Sequence, residues 1–149
     1  MEVMLQKVTG SEPMSMMDRF SGYNQVVIKE SEQLKTAFTT PWGTYVYVKI
    51  PFGLTNVGAT FQHAMDVTFA DIIDEFLIVY QDDLTTYSKD ENDHCMHLEK
   101  VFIRSLKYSI SLNPRKCNFG VTEGKLLGHL VGKHGVRIDP RSVEAIEKN

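Results

Sequence analysis

The sequence predicts an α+β fold: a split βαβ, ferredoxin-like arrangement in which an antiparallel sheet carries helices on one face. Apolar residues recur at helical spacing over residues 57–73 and again over residues 91–108. Short runs rich in β-branched and aromatic residues precede, separate and follow these two helices. The resulting order of strand, helix, hairpin, helix and strand is the order that this fold requires.

The segments before the first helix are predicted to be extended. Residues 15–18 form a short strand that ends in a carboxylate, and residues 23–28 continue in extended conformation. Residues 36–40 and 44–50 are rich in β-branched and aromatic side chains and are separated by Pro41-Trp42-Gly43. That pattern is typical of a β-hairpin.

The first helix follows its predicted N-cap Asn56, and the second begins at about residue 91. A hairpin of two strands, residues 76–79 and 84–87, lies between them. The elements predicted after the second helix are strands at residues 109–112, 117–121, 126–131 and 136–138, and a final helix that starts at Asp139-Pro140. In such a fold the end of the first strand lies beside the tip of the hairpin.

Length and composition limit the chain to one domain with a substantial core. It has 149 residues, of which 42% are hydrophobic and 23% are charged, as in ordinary globular proteins. No apolar run is long enough to span a membrane, and the first residues lack the features of a signal peptide. Cys95 and Cys117 imply no disulfide framework. We therefore expect an intracellular protein, cytoplasmic or nuclear, without a membrane partner.

Tyr80-Gln81-Asp82-Asp83 is the segment that points most directly to chemistry. It lies between the two strands of the hairpin and contains no Gly, Pro or Asn to ease the turn. Two adjacent carboxylates at a tight turn repel each other, so they serve stability poorly. A divalent cation removes that repulsion, because Mg²⁺ binds hard oxygen ligands, usually one or two carboxylates together with substrate phosphates.

Asp18 is the predicted partner of this acid pair, because it ends the first strand. Successive side chains of a strand point to opposite faces, which favours Asp82 as the direct ligand and leaves Asp83 at the edge. Two metal ions held by these carboxylates would suit the in-line displacement of phosphoryl transfer. The competing interpretation is a solvated turn, which is the common one for an isolated Asp-Asp pair.

His94, Cys95 and His97 do not predict a zinc site. All three crowd about one helical turn, and no second pair of ligands follows at the spacing that zinc sites use. The methionines near the first strand and the aromatic stripe of the first helix are expected to belong to the core.

An ordered set of motifs runs along nearly the whole chain. Its members are residues 17–25 (MDRFSGYNQ), 35–45 (KTAFTTPWGTY), 51–56 (PFGLTN) with 59–62 (ATFQ), 80–83 (YQDD), 111–117 (SLNPRKC) and 125–129 (KLLGH). In order and spacing, the set resembles reverse transcriptases, and most of all those of gypsy-type long-terminal-repeat retrotransposons. Each motif alone is weak, but the ordered set is specific.

The resemblance implies a role for each matching residue. The implied catalytic and metal-binding residues are Asp18, Asp82 and Asp83. The implied nucleotide-binding residues are Tyr23, Phe52, Gly53 and Lys116, of which Tyr23 would lie beneath the sugar and exclude a 2′-hydroxyl. The implied template and primer contacts are Gln62, Tyr80, Gln81 and the primer grip formed by Leu127, Gly128 and His129.

Some of these residues also have an ordinary structural interpretation. Tyr23 suits a packed aromatic near a strand end, Gln62 suits an exposed helical position, and Lys116 suits a surface turn. Leu127-Gly128-His129 also suits a buried strand with a glycine bulge. Gln81 departs from the family, which more often has an apolar residue at that position.

The resemblance also divides the chain. Residues 1–24 and 51–115 correspond to a polymerase palm, 25–50 to part of the fingers, 116–138 to the end of the palm with the primer-grip hairpin, and 139–149 to the start of the thumb. The upstream finger strands that clamp the triphosphate, the rest of the thumb and a ribonuclease H domain are expected to lie outside this sequence.

The implied function is that of an RNA-directed DNA polymerase, which transfers dNTPs onto a primer 3′-hydroxyl with two Mg²⁺ ions, Mn²⁺ being an alternative. The implied partners are an RNA or DNA template with its primer, dNTPs and the remaining polyprotein domains. The formal net charge of −3 argues against a strong nonspecific hold on nucleic acid. A second hypothesis therefore stays open: a catalytically silent, retrotransposon-derived remnant that binds nucleic acid or protein.

Overall fold

The structure, a computed structural model, describes residues 2–20, 26–51 and 57–138. Its helices are α1 (Glu2–Val8), α2 (Glu30–Gln33), α3 (Val57–Thr68) and α4 (Glu91–Lys107). Its strands are β1 (Met14–Asp18), β2 (Phe38–Thr40), β3 (Gly43–Tyr45), β4 (Leu77–Tyr80), β5 (Asp83–Tyr87), β6 (Asn118–Val121), β7 (Glu123–Leu126), β8 (His129–Gly132) and β9 (Gly135–Ile138). None of the helices in these ranges has the length and apolar character needed to cross a membrane.

Four strands form the central sheet in the order β4-β5-β1-β6. Each neighbouring pair is antiparallel. Helix α3 lies in the connection from β1 to β4, and α4 lies in the connection from β5 to β6. This is the predicted split βαβ topology, in which the β4–β5 hairpin lies between the two helices in sequence.

Both of these helices pack on one face of the sheet, as predicted. Phe61 of α3, Phe69 directly after that helix and Val101 of α4 are almost fully buried in one cluster. Leu84 of β5 and Met17 of β1 belong to the same cluster. Because side chains alternate along a strand, Met17 reaches this core while its two neighbours in β1 point elsewhere.

The opposite face of the sheet is covered by α1 and by a second sheet of order β7-β8-β9. The buried members of this second core are Leu5, Val8, Met14, Ile78, Tyr87, Leu126 and Val131. Gly124 permits the close approach, since a Cβ at that position would lie 2.0 Å from Cε of Met16. The sequence had not predicted α1 or this second layer.

The predicted hairpin before the first helix is confirmed but is shorter than expected. Its strands are β2 and β3, paired from Phe38 and Tyr45 to Thr40 and Gly43. The ladder does not extend back to Thr36, because Leu34–Thr36 form a 3-10 turn in which the Ala37 N–H donates to the Leu34 carbonyl at 3.2 Å. The predicted extended segment at residues 23–28 lies partly outside the described residues. The predicted N-cap Asn56 and the helix predicted from Asp139 lie wholly outside them.

Two predicted strands and one helix end are wrong. Residues 109–112 form no strand, because Ser109 has a φ of 55° and the Ile110 N–H returns to the Ser105 carbonyl at the end of α4. Residues 126–131 are not one strand, because the chain turns at residues 127–128 between β7 and β8. Helix α3 ends at Thr68 and not at residue 73.

Candidate active site

Asp18 and Asp83 face each other across two adjacent strands. Asp18 ends β1, Asp83 begins β5, and the antiparallel register pairs these two residues directly. Opposed residues on neighbouring antiparallel strands have Cβ atoms about 4.5–5.5 Å apart. The sheet therefore brings two carboxylates together at one end, although 64 positions separate them in the sequence.

Asp82 lies in the two-residue turn of the β4–β5 hairpin, whose last pair is Tyr80 and Asp83. The first residue of the turn, Gln81, has a φ of 50°, a conformation that Gly adopts more readily. One carboxylate oxygen of Asp82, Oδ1, is buried and has no hydrogen-bond partner among the described residues. The sequence favoured Asp82 as the partner of Asp18, whereas the register pairs Asp18 with Asp83.

The Asp83 carboxyl group responds to the charges around it. Partial burial of its carboxyl group, then the charge of Asp18, then that of Asp82, raise the pKa of Asp83 above its ordinary value, although much of the residue is open to solvent. The positive charges of Arg19 and Lys116 act in the opposite direction without cancelling this shift. The end of the sheet is therefore an anionic site that a cation would stabilise.

Lys116 is brought to this site by a short turn that is anchored on β1. The Asn113 N–H donates to the Asp18 carbonyl at 2.8 Å, and the Asn113 side chain accepts the Arg115 N–H at 3.2 Å. The 3-10 turn Pro114–Lys116 follows, with proline at its start. Nζ of Lys116 then lies 3.2 Å from Oδ2 of Asp18.

The donor set fits a hard divalent ion that shares its coordination with a substrate. Within residues 2–20, 26–51 and 57–138, no three His, Cys, Asp or Glu side chains form a preformed metal cage. Mg²⁺ does not need one, because it commonly binds one or two carboxylates, water and substrate phosphates. Asp18, Asp83 and the unpartnered Oδ1 of Asp82 offer such oxygens.

A groove runs from the acidic site to the β7–β8 hairpin. Asp18, Asp83 and Lys116 line one end, and residues 123–126 with Leu130 line the other. Leu127 and Gly128 form the turn of this hairpin with φ values of 52° and 79°, and His129 follows with its Nδ1 3.0 Å from the Leu127 carbonyl oxygen. The interpretation of these residues as a strand with a glycine bulge is therefore wrong.

The remaining predicted site residues lie elsewhere. Gln62 and Tyr80 line a second groove between α3 and β4, where the Gln62 amide donates to Asp66 at 2.9 Å. The predicted nucleotide-binding residues Tyr23, Phe52 and Gly53 lie outside the described residues.

Sequence reasoning missed Arg19. This arginine is only 3% exposed, and both its backbone N–H and its Nε–H donate to the Asp82 carbonyl, at 3.2 and 3.3 Å. Its position directly after Asp18 was the available signal, because side chains along an extended segment alternate between opposite faces.

Comparison with known proteins agrees with this geometry. The family model described as "Reverse transcriptase (RNA-dependent DNA polymerase)" matches residues 2–131. The chain belongs to the reverse transcriptase family. Members of this family generally use divalent metal ions.

The curated relatives are retrotransposon polyproteins, which confirms the predicted resemblance. The Pol polyprotein of the Drosophila melanogaster transposon opus is 36% identical over 132 residues, which cover 89% of this chain and 13% of the relative. The gypsy polyprotein from the same organism is 33% identical with the same coverage. The transposon 297 polyprotein is 32% identical over 98% of this chain and 14% of its own length. The chain thus spans only a small part of the reverse transcriptase polyproteins that it matches.

Solved structures confirm the fold. The foamy viral protease–reverse transcriptase in complex with double-stranded DNA has a TM-score of 0.85 and 23% identity, covering 99% of this chain and 26% of that one. The same viral protein with an RNA/DNA hybrid has a TM-score of 0.81 and 24% identity, covering 96% of this chain and 19% of that one. The α+β architecture is therefore that of a reverse transcriptase palm, as predicted.

Proposed function

We propose that this chain is the catalytic core of an RNA-directed DNA polymerase. It would transfer dNTPs onto the 3′-hydroxyl of a primer that is paired with an RNA or DNA template. The observation that carries the proposal is the direct pairing of Asp18 with Asp83. Asp82 precedes Asp83 in the chain, and its buried Oδ1 has no hydrogen-bond partner among the described residues.

Asp18, Asp82 and Asp83 are the proposed ligands of two divalent ions, Mg²⁺ or Mn²⁺. Such ions supply charge stabilisation for the attacking and leaving oxygens of an in-line displacement. The carboxylates contribute the negative charge that attracts the ions, and the sheet fixes the spacing of Asp18 and Asp83. The raised pKa of Asp83 supports this assignment, because burial and the repulsion by Asp18 and Asp82 that cause it do not favour folding.

Lys116 is the proposed contact for the triphosphate. Its ammonium group already lies at the acidic site through the ion pair with Asp18, on a side chain that is 66% exposed. An exposed cation on a flexible stem can move from a carboxylate to a phosphate with little rearrangement of the backbone. Tyr23, Phe52 and Gly53 complete the proposed nucleotide pocket.

The two grooves are the proposed paths of the nucleic acid. The first connects the acidic site with the β7–β8 hairpin, whose residues Leu127, Gly128 and His129 we assign to the primer. Gln62, Tyr80 and Gln81 are assigned to the template and primer near the hairpin tip. The viral relatives of similar fold were solved with an RNA/DNA hybrid and with double-stranded DNA, which supports nucleic acid as the partner.

The same proposal assigns the segments of the chain. Residues 1–24 and 51–115 would be palm, 25–50 part of the fingers, 116–138 the end of the palm, and 139–149 the start of the thumb. The matched segment covers only 13–14% of the relatives, so the other polyprotein domains are proposed as further partners.

Primer extension on an RNA template tests the proposal. The chain is incubated with dNTPs, a labelled primer and Mg²⁺ or Mn²⁺, beside Asp83→Asn and the matched control Asp93→Asn, which changes an exposed aspartate of α4. We expect extension by the unmodified chain and by Asp93→Asn, and a loss of at least a hundredfold in Asp83→Asn. Circular dichroism establishes that all three are folded. Absence of product from folded, unmodified chain would refute the activity.

A further inference from the structure

Arg19 is a buried cation directly behind the acidic site. It follows Asp18 in the chain, and strand alternation directs the two side chains to opposite faces of the sheet. Asp18 borders the groove, whereas Arg19 is 97% buried, with its guanidinium carbon 4.5 Å from the ring centre of Phe61 in α3. A buried charge is costly unless its surroundings compensate it, so its presence needs a reason.

Two hydrogen bonds of Arg19 converge on one atom of the hairpin. Its backbone N–H and its side-chain Nε–H both donate to the carbonyl oxygen of Asp82, at 3.2 and 3.3 Å. On its other side, Arg19 forms an antiparallel bridge with Leu112, and the next N–H donates to the Ser111 carbonyl. The residue is therefore fixed, and it fixes the peptide that carries Asp82.

The turn at Asp82 is one that benefits from such a restraint. Gln81 has a φ of 50°, a conformation that is unfavourable for residues other than Gly and persists only where surrounding contacts enforce it. Two donors on the Asp82 carbonyl hold the next peptide unit in place. Oδ1 of the Asp82 carboxylate receives no hydrogen bond among the described residues, so the backbone contact with Arg19 is the restraint seen at this residue.

We propose that Arg19 is a positioning residue, which holds the β4–β5 turn so that Asp82 stays beside Asp18 and Asp83. It also connects this turn to α3 through its contact with Phe61. The functional part of this inference rests on the proposed metal-binding role of the three aspartates. The structural part, that Arg19 restrains the turn, stands independently.

The test compares Mn²⁺ affinity with the conformation of the turn in the full 149-residue chain. Arg19→Met keeps an unbranched side chain against Phe61 but removes the charge and the donor. We expect Mn²⁺ affinity, measured by calorimetric titration, to fall at least tenfold, as is common when groups that orient metal ligands are lost. The amide NMR signals of Gln81, Asp82 and Asp83 should shift at the same time.

Arg104→Met is the matched control. Arg104 also lies between elements, donates to the Thr68 carbonyl at 3.3 Å and pairs with Asp71, but it lies outside the acidic site. Its loss should lower thermal stability without changing Mn²⁺ affinity or the three amide signals. Equal loss of Mn²⁺ affinity in both variants would mean that Arg19 acts only through general stability and would overturn the inference.

Arg19→Lys covers the case in which Arg19→Met does not fold. Lysine keeps the charge but has neither the Nε–H donor nor the planar group over Phe61. We therefore expect Arg19→Lys to bind Mn²⁺ measurably, but more weakly than the unmodified chain. Unmodified affinity and unmoved turn signals in the folded variant would overturn the inference.

Asp83→Asn separates the two proposals. If it abolishes Mn²⁺ binding while the Arg19 variants bind normally, the inference fails and the proposed function stands. If the unmodified chain binds Mn²⁺ no better than Asp83→Asn, the proposed function fails. The amide signals of the turn then decide alone whether Arg19 holds it.

Discussion

Asp83 makes an unfavourable contribution to the fold at the place where the chemistry is proposed. It lies directly opposite Asp18, and burial and both neighbouring carboxylates raise its pKa. Like charges opposite each other on adjacent strands are destabilising. Neutralising this residue should therefore increase stability even as it removes a proposed metal ligand.

The substitution Asp83→Asn tests this trade-off. We expect the free energy of unfolding at pH 7, without divalent ions, to rise by about 0.5 kcal/mol. A carboxyl group whose pKa is raised by folding penalises the native state fully above its folded pKa and not at all below its unfolded pKa of about 3.9. The gain should therefore shrink as the pH falls and vanish below about pH 4. Urea denaturation at both pH values measures it. Asp93→Asn should give no gain, and a less stable Asp83→Asn at pH 7 would contradict the expectation.

That Asp18 would lie next to the hairpin tip could be predicted from the sequence, but the register could not. The split βαβ order places the end of β1 beside the hairpin tip, whichever residues form the turn. Which carboxylate faces Asp18 depends on turn length. The turn here takes Gln81 and Asp82, so Asp83 becomes the first residue of β5.

At the scale of elements, α4 is joined to the sheet by a buried hydrogen-bond network. The imidazole of His94 lies 2.7 Å from the Ser15 hydroxyl of β1 and 2.8 Å from the Ser88 hydroxyl after β5. Ser88 also lies 2.7 Å from Nδ1 of His97, whose ring stacks on Phe76. Each hydroxyl has one proton to donate, so the network is best satisfied when both rings are neutral.

Acid should therefore loosen the attachment of α4. Burial is the main cause that lowers the pKa of both rings. At His94, the charge of His97 lowers the pKa further. At His97, Lys100 also lowers the pKa, while Asp93 and Glu75 raise it. A lowered histidine pKa gives stability that is complete above the unfolded value of about 6.5 and is lost below it. We expect a loss of about 1 kcal/mol between pH 7 and pH 5.

The variant His97→Phe isolates the contribution of one ring. It keeps an aromatic side chain against Phe76 but removes the titrating nitrogens, so stability should fall less steeply with acid. His63→Gln changes an exposed histidine of α3 and should leave the slope unchanged. Urea denaturation at pH 7, 6 and 5 gives the slopes. The idea fails if His97→Phe and the unmodified chain lose stability in parallel.

The elements that sequence reasoning missed are those determined by tertiary contacts. Helix α1 has seven residues, too few for a periodic pattern, and exists by packing Leu5 and Val8 onto the sheet. The turn between β7 and β8 was hidden because Leu127, an ordinary strand former, adopts a positive φ beside Gly128. By contrast, α3 and α4 carry long apolar stripes and were predicted correctly in type and approximate position.

At the scale of the whole molecule, the described residues form two cores on opposite faces of the central sheet. Strand β1 contributes Met17 to the core under α3 and α4 and Met14 to the core under α1 and β7–β9. The proposed groove lies at the end of the sheet where the second layer approaches the acidic site. Rigidity of the site therefore depends on both cores, although only one was foreseen.

Two core substitutions test whether these cores unfold together. Val8→Ala removes apolar volume from a fully buried position of α1, and Phe69→Leu does so at the position directly after α3. Each should cost about 1–2 kcal/mol. Because β1 and β5 belong to both cores, hydrogen exchange of their slowest amides should accelerate in both variants by the amount that the lost stability predicts. Mass spectrometry of exchanged peptides measures this. If Val8→Ala accelerates exchange only in α1 and β7–β9, the second layer opens independently of the central sheet. The residues of β7 and β8 that line the groove would then move relative to Asp18 and Asp83.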